Sequence, residues 1–353
     1  EIVICEYAMS KNARPARAIT DTVKSFTIRV FIILFFSTSF LLVLLFFIST
    51  LFIVPDKPRS EIIAKYANDA SIFLPLSNYR MAHVRDQGNQ DGPVMVLIHG
   101  DNGSLHSWEP WVAELGDRYR MITMDLPGHG ITGPVPDENY SRQAMSRFVQ
   151  EVTSQLKIDK FILIGISLGG SVALQYALEH REQVRGLVLI GASGLKRDEA
   201  DKNKGFLKLA NWPGVSRLMR YITPYGIVEE SVLAAYGTPV AVNKKLVDRY
   251  YDLLLHVGNR EAVFKQLEQR TQEDPLDIFI GGIIAPTLLL WGEEDILVPL
   301  KYGRRMRAHI PASELISYPG MGHVPVEISP KLTALHADQF IRREILNTES
   351  WTQ

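Results

Sequence analysis

From residue 76 onward the chain alternates between two kinds of segment, and this constrains its fold more than any other feature. Short, continuous apolar runs occupy Val94–His99, Met121–Asp125, Phe161–Gly165, Gly186–Ile190, Thr287–Trp291 and Leu315–Tyr318. Between them lie stretches with helical spacing: Trp108–Asp117, Ser141–Lys157, Leu168–His180, Lys301–His309 and Lys331–Leu346. Strands that are apolar throughout, not on every second residue, must be buried on both faces. Strands that alternate with helices must pair in parallel. The expectation is an α/β fold with a mostly parallel sheet, to which Tyr79–Arg85 adds an antiparallel strand at the edge.

One interval breaks the rhythm. Between Ile190 and Thr287 there is no apolar run of central-strand type, but there are many helix formers and the aromatics Phe206, Trp212, Tyr221, Tyr225, Tyr236, Tyr250 and Tyr251. A structureless loop of that length does not belong in a compact domain. Residues 195–275 are therefore expected to form a helical cap, inserted between core segments 76–194 and 276–353. Its aromatics suit an apolar acyl pocket and core packing equally well.

The N-terminal part has a different character. Val30–Val54 is a run of 25 residues without a charge. As a helix it extends roughly 37 Å, enough to cross a hydrocarbon core of about 30 Å. It ends in Leu51-Phe52-Ile53-Val54-Pro55, without the small-residue cleavage site of a signal peptide. Residues 30–54 are expected to be an uncleaved transmembrane anchor, with residues 1–29 cytoplasmic. Lys11, Arg14, Arg17, Lys24 and Arg29 precede the run, and this basic flank puts the bulk of the chain on the extracytoplasmic side. Residues 55–75, with Pro55, Pro58 and Pro75, read as a linker. The first methionine is Met9, and residues 1–8 are read as upstream sequence.

Composition excludes several functions. Basic and acidic residues number 38 and 39, so no net field gathers nucleic acid. Cys5 is the lone cysteine, which rules out an intramolecular disulfide or a cysteine-based metal site. There is no Gly-rich phosphate loop and no HExxH.

Four segments at strand ends carry chemistry. Gly165-Ile166-Ser167-Leu168-Gly169-Gly170 follows a strand and opens a helix, the context of a G-x-S-x-G nucleophile elbow. A Cβ at either flanking glycine would strike the neighbouring strand or helix. His323 lies in Gly320-Met321-Gly322-His323-Val324-Pro325, after the last strand, where a glycine-rich loop can bring an imidazole over the sheet edge. An acid to orient it comes from Gly292-Glu293-Glu294-Asp295, where Glu293 and Glu294 read as turn surface and Asp295 as the partner. The order Ser167, Asp295, His323 is that of a serine-hydrolase triad on such a sheet. His99, in Ile98-His99-Gly100-Asp101-Asn102-Gly103, precedes the serine in the chain and suits a structural role. A fifth segment, Asp125-Leu126-Pro127-Gly128-His129-Gly130, reads as architecture, and Glu327 as an acid at the start of the last helix.

Together these motifs, from about Met81 to Leu346, resemble the α/β-hydrolase superfamily. Within it the chain is similar to the bacterial esterases and lipases of lipolytic family V, whose relatives include membrane-anchored monoacylglycerol lipases and the C–C bond hydrolases of aromatic degradation. The resemblance implies an eight-stranded sheet, a helical cap between strands six and seven, and a triad of Ser167, Asp295 and His323. It also implies an oxyanion hole formed by the backbone N–H groups of Asp101 and Leu168, with no metal or organic cofactor. The implied reaction is cleavage of a small-molecule or lipid carboxylic ester through an acyl-enzyme. The alternative is C–C bond hydrolysis of a meta-cleavage product by the same triad. Asp101 departs from the pattern, since esterases of this kind usually carry an apolar or aromatic residue there. Its carboxylate is expected to point away from the hole, be protonated, or bind a polar substrate group.

Overall fold

A computed structural model describes residues 24–47, 53–202 and 221–347. The chain divides into two units, Glu1–Ile53 and Val54–Gln353. In the first, helix α1 (Lys24–Phe47) has 24 residues and is long and apolar enough to cross a membrane. It begins six residues before the expected span, so Lys24 and Arg29 lie in its first turns; the end of that span, 48–52, is outside the described residues.

The second unit is built on an eight-stranded sheet in the order β1-β2-β4-β3-β5-β6-β7-β8. Its strands are β1 (Ser71–Pro75), β2 (Met81–Gly88), β3 (Val94–Ile98), β4 (Arg120–Met124), β5 (Phe161–Ile166), β6 (Val184–Ile190), β7 (Thr287–Gly292) and β8 (Ser313–Tyr318). From β4 through β8 every pairing is parallel, while β1 and β2 are antiparallel additions. β5 and β7 are buried along their whole length, which is why they read as unbroken apolar runs. Side chains alternate between two cores. Phe161 and Leu163 face one with Phe148 and Val172; Ile162, Ile164 and Ile166 face the other with Trp108, Trp111 and Phe340.

Helices α2 (Arg59–Tyr66), α3 (Glu109–Leu115), α4 (Arg142–Gln155) and α5 (Leu168–Glu179) precede the insertion. Helices α6 (Tyr225–Tyr236), α7 (Lys244–Leu254) and α8 (Asn259–Arg270) lie within it, and α9 (Leu300–His309) and α10 (Pro330–Ile341) follow. The insertion's ends meet where Leu276 N–H donates to Gly194 O at 2.9 Å. Phe206 and Trp212 lie outside the described residues. Tyr225 and Tyr251 pack edge to face, with ring centroids 5.1 Å apart, and Tyr236 is buried.

Two expectations need correction. Residues 55–75 are not a linker, because they hold α2 and β1. Ile62 on α2 is buried against Ile131 and Leu253, and β1 completes the sheet alongside β2. The entering chain is also fixed by polar contacts. Arg260 donates to Val54 O at 2.7 Å and to Asp56 Oδ1 at 2.5 and 3.0 Å, and Lys57 N–H donates to Leu255 O at 2.7 Å. The expected antiparallel edge strand, β2, lies one place inward, with β1 at the edge.

Candidate active site

The expected site residues all fall at the carboxyl ends of parallel strands: Asp101 after β3, Ser167 after β5, Asp295 after β7 and His323 after β8. This edge is where open α/β sheets present their sites.

Ser167 caps α5 with φ 53° and ψ −114°. That backbone conformation is rarely adopted by a side-chain-bearing residue and persists only where the surroundings enforce it. Here β5 and α5 meet so tightly that a Cβ on Gly165 would strike the Gly169 carbonyl, and one on Gly169 the carbonyls of Ile98 and His99. The Ser167 N–H donates to Ile190 O at 2.9 Å, tying the corner to the end of β6. Leu168 is the first residue of the helix, so its N–H has no intrahelical acceptor.

The next residue of the β6 end is Gly191, and over it lies the His323 ring: a Cβ on Gly191 would come within 3.0 Å of His323 Nδ1. His323 Nδ1 is 2.7 Å from Asp295 Oδ2. A carboxylate can only accept, so Nδ1 carries a hydrogen, and in the neutral imidazole the lone pair is the one on Nε2. The other oxygen, Asp295 Oδ1, accepts from the backbone N–H groups of Leu297 (2.9 Å) and Val298 (2.8 Å). Both oxygens of this buried carboxylate are thus fixed. Of the neighbouring acids, Glu293 turns away to Ser317 Oγ at 2.6 Å.

The cap holds the histidine loop. Gly237, at φ 67°, ends α6 in a left-handed turn, leaving the last carbonyls of the helix free to accept. His323 N–H donates to Ala235 O at 2.6 Å and Gly322 N–H to Tyr236 O at 3.2 Å. Glu327, four residues on, accepts from Tyr236 Oη (2.8 Å), Arg249 Nη2 (2.8 Å) and Tyr250 Oη (3.2 Å). Burial would raise the Glu327 carboxyl, but the Arg249 guanidinium together with hydrogen bonds from Ser107 and Tyr236 outweighs it and holds the pKa below the usual value. The sequence reads Glu327 as a helix-start acid, and it lies in the first turn of a short helix, Pro325–Ile328. Its partners lie 77–91 residues away, so no local pattern shows them.

On the opposite side of the serine, a Cβ on Gly100 would lie 3.0 Å from Ser167 Cβ. The Asp101 side chain points away from this contact, onto α8. Burial favours its neutral form, but Arg270 prevails and the pKa falls to about 2. His99 is structural: Nδ1 donates to Gly100 O at 2.7 Å and Nε2 accepts Leu126 N–H at 3.0 Å. Burial lowers its pKa to about 4, so it is neutral near pH 7. Asp125 accepts from Leu105 N–H (2.8 Å), Ile131 N–H (2.8 Å) and His83 Nδ1 (2.7 Å), joining three segments.

A strained serine at a strand–helix corner, tied to the end of the neighbouring strand over which lies an imidazole backed by a carboxylate, is the arrangement of an α/β-hydrolase. The family model for the alpha/beta hydrolase fold matches residues 93–330, and the chain belongs to that family. It is 28% identical over 279 residues to "Uncharacterized hydrolase YugF" of Bacillus subtilis, covering 75% of this chain and 94% of that protein. It is 27% identical to the "2-hydroxy-6-oxononadienedioate/2-hydroxy-6-oxononatrienedioate hydrolase" of Comamonas testosteroni, over 70% of this chain and 86% of the relative. Among solved structures, a membrane phospholipase A described as a bacterial virulence factor superposes with TM-score 0.70 at 23% identity, covering 89% of this chain and 99% of that one. A thermophilic esterase from Thermogutta terrifontis gives 0.66 at 22%, over 78% and 99%. At these identities the structural likenesses speak for the fold.

Proposed function

We propose that the chain is a membrane-anchored serine hydrolase that cleaves carboxylic esters through an acyl-enzyme, with Ser167 as nucleophile, His323 as general base and Asp295 as the acid that orients it. The observation that carries this reading is the 2.7 Å contact between His323 Nδ1 and the doubly held Asp295 carboxylate, at the same sheet edge as a serine in a strained elbow. With Nδ1 protonated, Nε2 takes the Ser167 proton, and the alkoxide attacks the ester carbonyl. The N–H groups of Asp101 and Leu168 receive the negative charge that develops on the carbonyl oxygen. His323 then protonates the leaving alcohol, and water activated by the same imidazole frees the acyl group.

The names of the relatives support both ester hydrolysis and a second reading, C–C bond hydrolysis of a meta-cleavage product. The loop His99-Gly100-Asp101-Asn102-Gly103 favours the ester, because it lacks the Gly-Pro-Gly run expected of C–C hydrolases. The substrate class is a small or lipid-derived ester. The apolar helix and its basic flank support attachment through α1, with residues 1–29 cytoplasmic and the catalytic part extracytoplasmic. Protease added outside intact cells or spheroplasts should digest the catalytic part; protection of that part would reverse the orientation.

The chemistry is tested with a short p-nitrophenyl ester, a vinylogous diketone and a fluorophosphonate probe. Wild-type protein should hydrolyse the ester and take up the probe. Ser167→Ala should abolish labelling and lower kcat by as much as about 10⁶-fold. Undiminished hydrolysis by Ser167→Ala would remove the assignment, and turnover of the diketone alone would favour the second reading.

A further inference from the structure

The corner of the oxyanion turn is tied to the cap by ionic bonds. Asp101 Oδ1 accepts from Arg270 Nη2 at 2.6 Å and from Gln266 Nε2 at 3.1 Å, while Oδ2 accepts from Arg270 Nη1 at 2.8 Å. Residues 266 and 270 are four apart on α8, so one helix face supplies both donors. Gly103 N–H donates to Gly100 O at 3.1 Å, which places Asp101 and Asn102 at the centre of a turn, with Asn102 at φ 52°. His99 holds one arm of this turn through Gly100 O. The two-pronged guanidinium fixes both the place and the plane of the Asp101 carboxylate at its corner.

That carboxylate belongs to the residue whose N–H faces the reacting carbonyl in the reading above. Turned inward, or left unpaired, it would set a negative charge close to the oxyanion that the hole must stabilise. We propose that Arg270 is a positioning residue for catalysis: it draws the Asp101 carboxylate outward, neutralises it and so aims the Asp101 N–H into the oxyanion hole. Arg270 acts through Asp101. The cap thereby supplies part of the transition-state machinery, in addition to covering the site. This inference rests on the ester-hydrolase reading and deepens it.

The test uses the full-length protein in detergent. It measures kcat and KM on a short p-nitrophenyl ester, and the rate of Ser167 phosphonylation by a fluorophosphonate, all normalised to titrated active sites. Losing one oxyanion donor outright costs about 10²–10³ in kcat, so Arg270→Ala, which displaces a donor, should cost roughly 10- to 100-fold, with a smaller change in KM. Phosphonylation should slow in parallel. Arg270→Lys should recover part of the rate, because it restores the charge without the two-pronged geometry. Adding Asp101→Ala to Arg270→Ala should recover more, since the backbone N–H remains and the stray charge is gone. Unchanged kcat per active site in Arg270→Ala would overturn the proposal, as would a double variant no faster than Arg270→Ala. Wild-type protein that fails to take up the probe would instead remove the ester-hydrolase reading itself.

Discussion

Removing the Asp125 carboxylate offers a sharp test of how the site is supported. Asp125 is fully buried and accepts three hydrogen bonds, two of them from backbone N–H groups. Substitution by Ala leaves three buried donors stranded. Each stranded donor costs about 1–3 kcal/mol, so the total is about 4–6 kcal/mol once partial relaxation is allowed. That is a large share of a stability that is typically about 5–15 kcal/mol. At roughly 2 °C per kcal/mol for a unit of this size, the thermal midpoint should fall by about 10 °C. Asp125→Asn keeps one oxygen and should lose about half as much. The assay is thermal unfolding of the detergent-solubilised protein, followed by circular dichroism. A midpoint for Asp125→Ala within about 2 °C of wild type would refute the claim that this carboxylate holds three segments together.

Other expectations follow from the same charges. The folded-state pKa of His99 is depressed to about 4, below the unfolded value near 6.5, so the unfolded chain binds more protons between those limits. Stability should therefore decline as pH falls from about 6.5 to 4, and further below 4 as Asp101 and Asp125, both depressed, lose their ionised-state advantage. Urea midpoints measured across this range check the sign, and a flat profile would contradict it. Glu327→Ala strands Arg249 in a mostly buried pair and should cost about 3–5 kcal/mol, loosening the contact between α6 and the histidine loop. Limited proteolysis should then cut residues 195–275 faster than in wild type; equal rates would argue that the cap is held by apolar packing alone.

The sequence was most legible where burial is two-sided. β3, β5 and β7 are buried on both faces and nearly all apolar, so they stand out as runs, with the motifs at their carboxyl ends. Ser167 was readable because its strained corner demands glycines on either side. What escaped notice was one-sided or long-range. α2 buries just one residue, Ile62, and β1 is only half-buried, so both were hidden among prolines and charges. The direction of the Asp101 carboxylate depends on Arg270, 169 residues away, and no local pattern announces such a pair. Glu327 lay in a recognisable place, but its three cap partners were invisible for the same reason.

The hydrogen bond from His323 N–H to Ala235 O limits how freely this enzyme's specificity can be re-engineered. Exchanging the lid for that of a homologue is an obvious way to alter substrate range. Here a transplant would have to carry a carbonyl at the end of the helix that takes the place of α6, a cation facing Glu327 and another facing Asp101. A donor chosen for pocket shape alone would leave the His323 loop without the hydrogen bond that holds it.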